Sequence, residues 1–349
     1  MFWSTDARPE APPDWAPFAR AYGSFYHEPA WAHALADAFG FRLSFLTARG
    51  PDGGLAGVLP VAEVRSLLGT GRRLVSLPFS YAAGPAATDP SADAALCEAV
   101  RALGAERRIG RVEIKRDSAA TAPTPGFTRA ERYATYRVDT ASGESAVWAH
   151  LHAGSTRRGI RKAERHGVWV ERADDARAWR TMADLQASTS HRHGLPAPPT
   201  AFFTNTCREL QRVGLAELYV AHGPAEGVIG SAVLWKGARA WIYAFGAARQ
   251  DALELRPMHA LLWRALRDAI GAGVTFDLGR AAPEQEGLVQ FKERWGGVAV
   301  PLAYDYHPAP AGVHVAARDR GPVAWANRLW SALPPGLARR GDFLYRYLA

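Results

Sequence analysis

The strongest constraint on the fold is an order of apolar patterns that occurs twice. Residues 27–39 place Trp31, Leu35, Ala38 and Phe39 at helical spacing, with Pro29 suited to a first turn. Strand-like runs follow at 43–48, 55–64 and 74–77, divided by the turn sequences Asp52-Gly53-Gly54 and Gly69-Thr70-Gly71. A helical pattern at 92–103 and strands at 112–115 and 133–138 complete the first set. The second set has helices at 176–191 and 200–213, strands at 216–221, 227–235 and 240–246, a helix at 257–270 and a strand at 274–278. Helix, antiparallel strands, helix, strand is thus read twice. The expectation is an α/β (α+β) protein of two tandem domains, each a mixed, largely antiparallel sheet flanked by helices. The 349 residues agree with that count at roughly 100 to 200 per domain.

Several function classes drop out early. Cys97 and Cys207 stand far apart without a nearby partner, so neither a disulfide framework nor a thiolate metal site is expected, and both read as buried small residues. His191-Arg192-His193 lacks a third ligand, so no metal is expected there or elsewhere. Residues 1–24 are Pro-rich and aperiodic, without the apolar run of a leader, and no segment has the ~18 apolar residues of a membrane span. These features point to a cytoplasmic protein. The net charge of +8 favours anionic partners, although an Ala-, Gly-, Pro- and Arg-rich composition accounts for it equally.

Phe276-Asp277-Leu278-Gly279-Arg280 followed by Phe291-Lys292-Glu293-Arg294-Trp295-Gly296 carries the most chemistry. A strand delivers an acid and an arginine to its carboxyl end, and the next helix returns a lysine, an arrangement suited to a polarised or anionic group. Lys292 is the candidate cation for an oxyanion or a phosphate, against a solvated helix lysine. Arg280 is a candidate anion grip, against a salt bridge to Asp277 or Glu284. Asp277 is a candidate general base, against an organiser of the following loop. On the 240–246 strand, alternation puts Trp241, Tyr243 and Phe245 on one face, so Tyr243 is either a proton shuttle or a core tyrosine. A basic helix at 155–165 spaces Arg157, Arg161 and Arg165 at i, i+4, i+8 beside Arg158 and Lys162, presenting either an anion-binding face or a solvated one. The loop from Ser76 to Pro85, with Tyr81, lines a cleft or merely connects. Near the C-terminus Trp325, Leu329, Trp330 and Leu333 share one helical face, fit for an anionic membrane surface or for packing on the second domain.

Taken together, Phe25-Tyr26-His27-Glu28-Pro29-Ala30-Trp31, Gly57-Val58-Leu59-Pro60, Leu77-Pro78-Phe79 with Gly84-Pro85, the run from Ile160 to Val168, Arg256-Pro257-Met258-His259, and the Asp277 and Phe291 motifs resemble the FemABX group of GNAT-fold acyltransferases. The likeness is to its FemAB-like members linked to exopolysaccharide and PEP-CTERM systems. It implies two GNAT-type domains and acyl or aminoacyl transfer to an amine of a cell-envelope, peptidoglycan or exopolysaccharide precursor. It also implies that Lys292 sits at the active cleft. Two departures leave the donor open among acyl-coenzyme A, acyl carrier protein and aminoacyl-tRNA, with no cofactor tightly bound. The long helical hairpin that some relatives use for tRNA has no counterpart here. The Gly-rich pyrophosphate loop is replaced by Glu254-Leu255-Arg256-Pro257-Met258-His259.

The expected layout is a lead-in at 1–24, a first GNAT-like domain at 25–150, a second at 151–308, and C-terminal amphipathic helices at 309–349. Anionic small-molecule or lipid-linked substrates are the expected partners, with peripheral contact at the inner membrane through the C-terminus. From a different class, a non-catalytic GNAT-shaped binder of acidic polysaccharide or a lipid-linked intermediate would use the Arg157, Arg161 and Arg165 face.

Overall fold

The computed structural model describes residues 3–65, 71–117, 123–224, 227–308 and, toward the C-terminus, 330, 332–334, 336, 338 and 341–348. Two compact units emerge. The first runs to Ala134 and takes up the chain again from Val300, while the second holds Thr135–Ala299 with Trp330, Leu333 and Asp342.

In the first unit the elements are β1 (Ser4–Arg8), α1 (Trp15–Tyr22), α2 (Pro29–Phe39), β2 (Arg42–Arg49), β3 (Leu55–Arg65), β4 (Arg72–Val75), a short β5 (Ala86–Ala87), α3 (Pro90–Glu106), β6 (Arg111–Arg116) and the start of β7 (Thr128–Val138), whose residues from Thr135 onward belong to the second unit. β1 to β4 form an antiparallel meander, and α3 carries the chain across so that β6 lies parallel to β4. Local sequence explains the boundaries. Pro29 and Pro90 open helices where the missing N–H does no harm, Gly40 ends α2 at φ 69°, and the Asp89 carboxylate accepts from Ser91 and Ala92 at the start of α3. Leu96, Val100 and Leu103 of α3 then meet Leu46, Leu59, Leu74, Val112 and Ile114 of the sheet.

The opening residues are ordered, against the expectation of a loose lead-in. β1 pairs with β2 along its full length, and Trp15 is fully buried with its indole N–H donating to the His27 carbonyl at 2.8 Å. Such edge pairing and a single anchoring tryptophan leave no periodic trace in a short Pro-rich run.

The second unit comprises α4 (Gly143–His150), a π-helical turn (Ala153–Arg157), α5 (Arg158–Arg165), β8 (Trp169–Ala173), α6 (Ala176–Arg192), a second π turn (Phe202–Cys207), α7 (Arg208–Arg212), β9 (Ala216–His222), β10 (Val228–Lys236), β11 (Ala240–Ala248), α8 (Pro257–Gly271), β12 (Thr275–Ala281) and α9 (Glu286–Arg294). Its connections repeat those of the first unit: β8 to β11 are an antiparallel meander, and after α8 the chain returns as β12, parallel to β11. The sequence-predicted helix at 200–213 is in fact the second π turn followed by α7.

β13 (Val298–His307) follows α9 in sequence, yet its residues 303–307 pair antiparallel with 112–116 of β6 in the first unit. A boundary at 308 therefore misplaces it. Its buried Asp305 accepts from Arg116 at 2.5 Å and from Arg129 at 2.8 Å, and Arg116 reaches on to Asp93 at 2.7 Å. Both cysteines are free and buried.

Most of the C-terminal run, including Trp325 and Leu329, lies outside the described residues. Of the rest, the ring of Trp330 lies against Gly341, and His191 Nε2 bonds the Leu333 carbonyl at 2.9 Å. Trp330, Ala338 and Asp342 border, with His191 and Ala187 of α6, a cavity of about 140 Å³. Among the described residues no helix is long and apolar enough to cross a membrane.

Candidate active site

The second unit brings four of the sequence-predicted residues to one place, the carboxyl end of β12. Parallel pairing of β11 and β12 comprises only Ala240 with Thr275, Trp241 with Phe276 and Ile242 with Asp277, although β11 continues to Ala248 and β12 to Ala281. Beyond the third rung the two strands part. Residues Tyr243 to Gly246 are consequently half-exposed, although β11 lies between β10 and β12. The unpaired stretch of this internal strand has main-chain groups that an extended ligand could engage in place of a neighbouring strand.

A β-bulge shapes the same stretch. Val233 of β10 pairs with Phe245 and the next residue, Leu234, with Tyr243, so Ala244 is the extra residue on β11. The strict alternation expected for Trp241, Tyr243 and Phe245 is therefore broken. Phe245 packs on Phe202, Phe203 and Trp235, with ring centroids 5.2 to 6.1 Å apart. The Tyr243 hydroxyl instead folds back over Gly246, where a Cβ would lie 1.8 Å from it and 2.6 Å from the Met258 methyl. Glycine is the one residue that leaves this space open. Tyr243 has no hydrogen-bond partner for its hydroxyl among the described residues, and burial raises its phenol above the ordinary value despite partial exposure.

Lys292 is buried, only 3% exposed, rather than a solvated helix lysine. Its ammonium donates to the carbonyls of Leu278 and, at 2.6 Å, Gly279, the first β12 carbonyls beyond the last rung shared with β11. The Tyr136 ring lies 5.8 Å away. Gly279 makes the approach possible: its φ of 81° turns the strand, and a Cβ there would stand 3.6 Å from Nζ. Burial lowers the Lys292 ammonium to about 8, with Asp277 opposing the shift and Arg280 adding to it. An ammonium has three donors, so one remains beyond the two carbonyls.

Asp277 is buried and its carboxylate is engaged. It accepts from the Gly279 N–H at 2.7 Å, the Thr135 hydroxyl at 2.5 Å and Arg137 at 3.3 Å. The Asp277 carboxylate is thus engaged on the turn that presents Gly279 and Arg280, in the position of an organiser of the strand end. Arg280 points outward and is exposed.

The expected basic face is not uniformly exposed. Arg157 ends a π turn and enters α5 in αR conformation, but it is partly buried where Arg161 and Arg165 are exposed. That turn is pinned to the end of α9, where the Arg294 carbonyl accepts from the His152 N–H and the Thr156 hydroxyl, both at 2.9 Å. Arg157 Nε is buried without a partner among the described residues. Arg161 is exposed over the Trp148 ring at 5.6 Å, Arg165 is exposed, and Lys162 bonds Glu254 at 2.8 Å. Tyr81 belongs to the first unit and packs on Tyr26, ring centroids 5.1 Å apart. Its loop carries two non-glycine residues with positive φ, Leu77 at 50° and Phe79 at 56°.

Sequence reasoning missed Gly246, Tyr136, Thr135 and Arg137. Tyr136, Thr135 and Arg137 have no local signal, because each matters only through a partner distant in sequence. The run Tyr243-Ala244-Phe245-Gly246 did hold a hint, since a glycine three places after a tyrosine in a strand suits a side chain that must fold back.

This geometry belongs to a recognisable class. Residues 152–293 match the family model described as an acetyltransferase (GNAT) domain, and this range holds Tyr243, Asp277, Arg280 and Lys292. Among solved structures, FemX shares 15% identity, covering 86% of this chain and 96% of its own at a TM-score of 0.69. L-PGS from Bacillus licheniformis shares 13% identity, covering 93% and 98% at 0.58. A conserved protein of unknown function from Bacteroides thetaiotaomicron shares 11%, covering 87% and 99% at 0.58. These likenesses show a FemX-like fold. No curated protein sequence matches the chain.

Proposed function

We propose that the protein is an N-acyltransferase, moving an acyl or aminoacyl group to an amine of a cell-envelope or exopolysaccharide precursor, with the chemistry in the second unit. The observation that carries this is the opened β11–β12 pair with a buried ammonium on one side and an unpartnered phenol on the other. A donor carbonyl lying along β11 would place its oxygen toward the third Lys292 N–H. Attack by the acceptor amine develops negative charge on that oxygen, which the ammonium stabilises in a site of low dielectric. The Tyr243 hydroxyl then protonates the departing sulfur or oxygen, a transfer in keeping with its unpartnered position.

The donor is taken from acyl-coenzyme A, acyl carrier protein and aminoacyl-tRNA. The entry to α8 offers a pyrophosphate little: Arg256 caps it in a left-handed conformation, and Pro257 has no N–H. Macromolecular donors are favoured on that ground, with the exposed Arg161 and Arg165 available to their phosphates. An anionic or lipid-linked acceptor would suit Arg280. A FemAB-like role in exopolysaccharide or peptidoglycan assembly, at the inner face of the membrane, is the physiological form of this reading.

The test is radiolabelled acyl transfer from each of the three donors to glucosamine and to a lysine-bearing pentapeptide, with Lys292→Ala and Tyr243→Phe alongside. Transfer that survives Lys292→Ala unchanged refutes the role of the ammonium. Absence of transfer with all three donors favours the second reading, a binder using Arg157, Arg161 and Arg165, which the unpartnered Arg157 Nε supports.

A further inference from the structure

We infer that the first unit binds a neutral pyranose sugar at a side-chain cluster built around Glu113. This binding belongs to the first unit alone and stands whether or not the second unit transfers acyl groups.

The sheet of the first unit sets the cluster. Leu74, Val112 and Ile114 pack with α3, so Arg73, Glu113 and Lys115, which alternate with them, point to the opposite face. β13 continues that face, because Tyr306 pairs directly with Glu113 and Tyr304 with Lys115. Tyr133 of β7 joins them, its ring centroid 5.3 Å from that of Tyr304. The side chains of Glu113 and Lys115 are only 10% and 6% exposed, whereas Arg73, Tyr133 and Tyr306 are partly exposed. Two opposite charges thus lie beneath a partly wet rim of one guanidinium and two phenols.

The carboxylate has few donors for its burial. Arg73 donates to it at 3.4 Å. The Lys115 ammonium donates to the Leu77 carbonyl at 3.3 Å and stays 3.9 Å from Glu113, beyond hydrogen-bond reach. The second unit provides the contrast. Val75 with Glu113 is the last rung of the parallel β4–β6 pair, as Ile242 with Asp277 is the last rung of β11–β12. Asp277, at the equivalent place, accepts from three donors at 2.5, 2.7 and 3.3 Å. The protein supplies Glu113 with one long hydrogen bond instead, although a buried carboxylate calls for several. The Tyr306 hydroxyl has no hydrogen-bond partner among the described residues, and burial, followed by the Glu113 charge, raises its phenol.

The mixed signs of charge select the ligand. An ammonium is opposed by Lys115 and Arg73, and an acid is opposed by Glu113. A hydroxyl meets neither objection, since one oxygen can donate to Glu113 and accept from Lys115 or Arg73. Several hydroxyls on one rigid ring, with C–H faces to lie against a tyrosine ring, describe a pyranose. Neutral hexoses and N-acetylhexosamines meet that description, whereas glucosamine and glucuronate carry charges that the cluster opposes.

The experiment is saturation-transfer NMR on the full chain, titrated with the methyl glycosides of glucose, galactose and mannose and with N-acetylglucosamine. At least one of the four should bind saturably, with transfer to its ring C–H protons, and glucosamine and glucuronate should each bind at least threefold more weakly than it. Glu113→Gln, which keeps the shape and removes the charge, should weaken binding at least tenfold, and Tyr306→Phe at least threefold. Thermal melting checks that each variant is folded, and Tyr306→Phe, at a partly exposed position, decides alone should Glu113→Gln unfold. Absence of saturable binding by all four sugars, a charged sugar within threefold of the best neutral one, or a smaller loss than stated in a folded variant would each overturn the inference.

Discussion

Replacing Lys292 by methionine should reveal its burial as a difference in how stability depends on pH. Below about pH 8 the ammonium is charged in both folded and unfolded chains, and only the folded chain bears the penalty of enclosing it. Between about 8 and the ordinary value of 10.5 the folded protein releases the proton while the unfolded chain keeps it, so stability rises with pH. Above 10.5 both are neutral and the penalty has gone. The full interval is worth ~3 kcal/mol at ~1.4 kcal/mol per pH unit, and about 2 kcal/mol of it falls between pH 7.5 and 10. Lys292 is almost wholly buried, so little is lost to solvent screening. Urea unfolding of wild type and Lys292→Met across that range should therefore diverge, with wild type gaining ~2 kcal/mol on the variant. Other titrating groups are common to both proteins and cancel in the comparison. The methionine also leaves the Leu278 and Gly279 carbonyls without their donor, which offsets the curves by about 1–3 kcal/mol without changing their slopes. Parallel curves would refute the reasoning, since they would mean that Lys292 titrates as a solvated lysine. The same titration predicts that transfer declines above about pH 8 as the ammonium is lost.

Gly246→Ala should reduce transfer at least tenfold by displacing the Tyr243 hydroxyl, at a stability loss of about 1–3 kcal/mol; unchanged kcat would show that the hydroxyl is not placed by this glycine. Asp277→Ala should destabilise by about 3 kcal/mol, because the Gly279 N–H and Thr135 hydroxyl lose a buried acceptor; thermal melting checks it, and a shift under a degree would count against the organising role. Arg161→Ala should alter stability by less than about 1 kcal/mol, its cation–π contact being exposed, while weakening filter binding of tRNA if that is the donor.

Much of the fold was legible because its signals are local. Continuous, largely apolar runs at 55–64 and 216–221, helical spacing at 92–103, and prolines at helix starts fix element type within a few residues. The repeated order of those elements already pointed to tandem domains. Where the sequence misled, the deciding interaction was remote. Trp15 orders the opening segment by reaching His27, β13 leaves the domain it follows because the edge of β6 accepts it, and a one-residue bulge at Ala244 turns Tyr243 away from Phe245.

For the site, the sequence by itself supplied the chemical inventory: a strand ending in Asp277, Gly279 and Arg280, a lysine fourteen residues after Leu278, and a tyrosine on the neighbouring strand. Tertiary structure decided what those groups can do. Only the end of the β11–β12 pairing leaves Tyr243 to Gly246 partly exposed, only burial lowers the Lys292 ammonium, and only three donors remote in sequence or across a turn engage the Asp277 carboxylate. Protonation and reactivity depend on dielectric and on partners within a few ångströms, and chain proximity specifies neither.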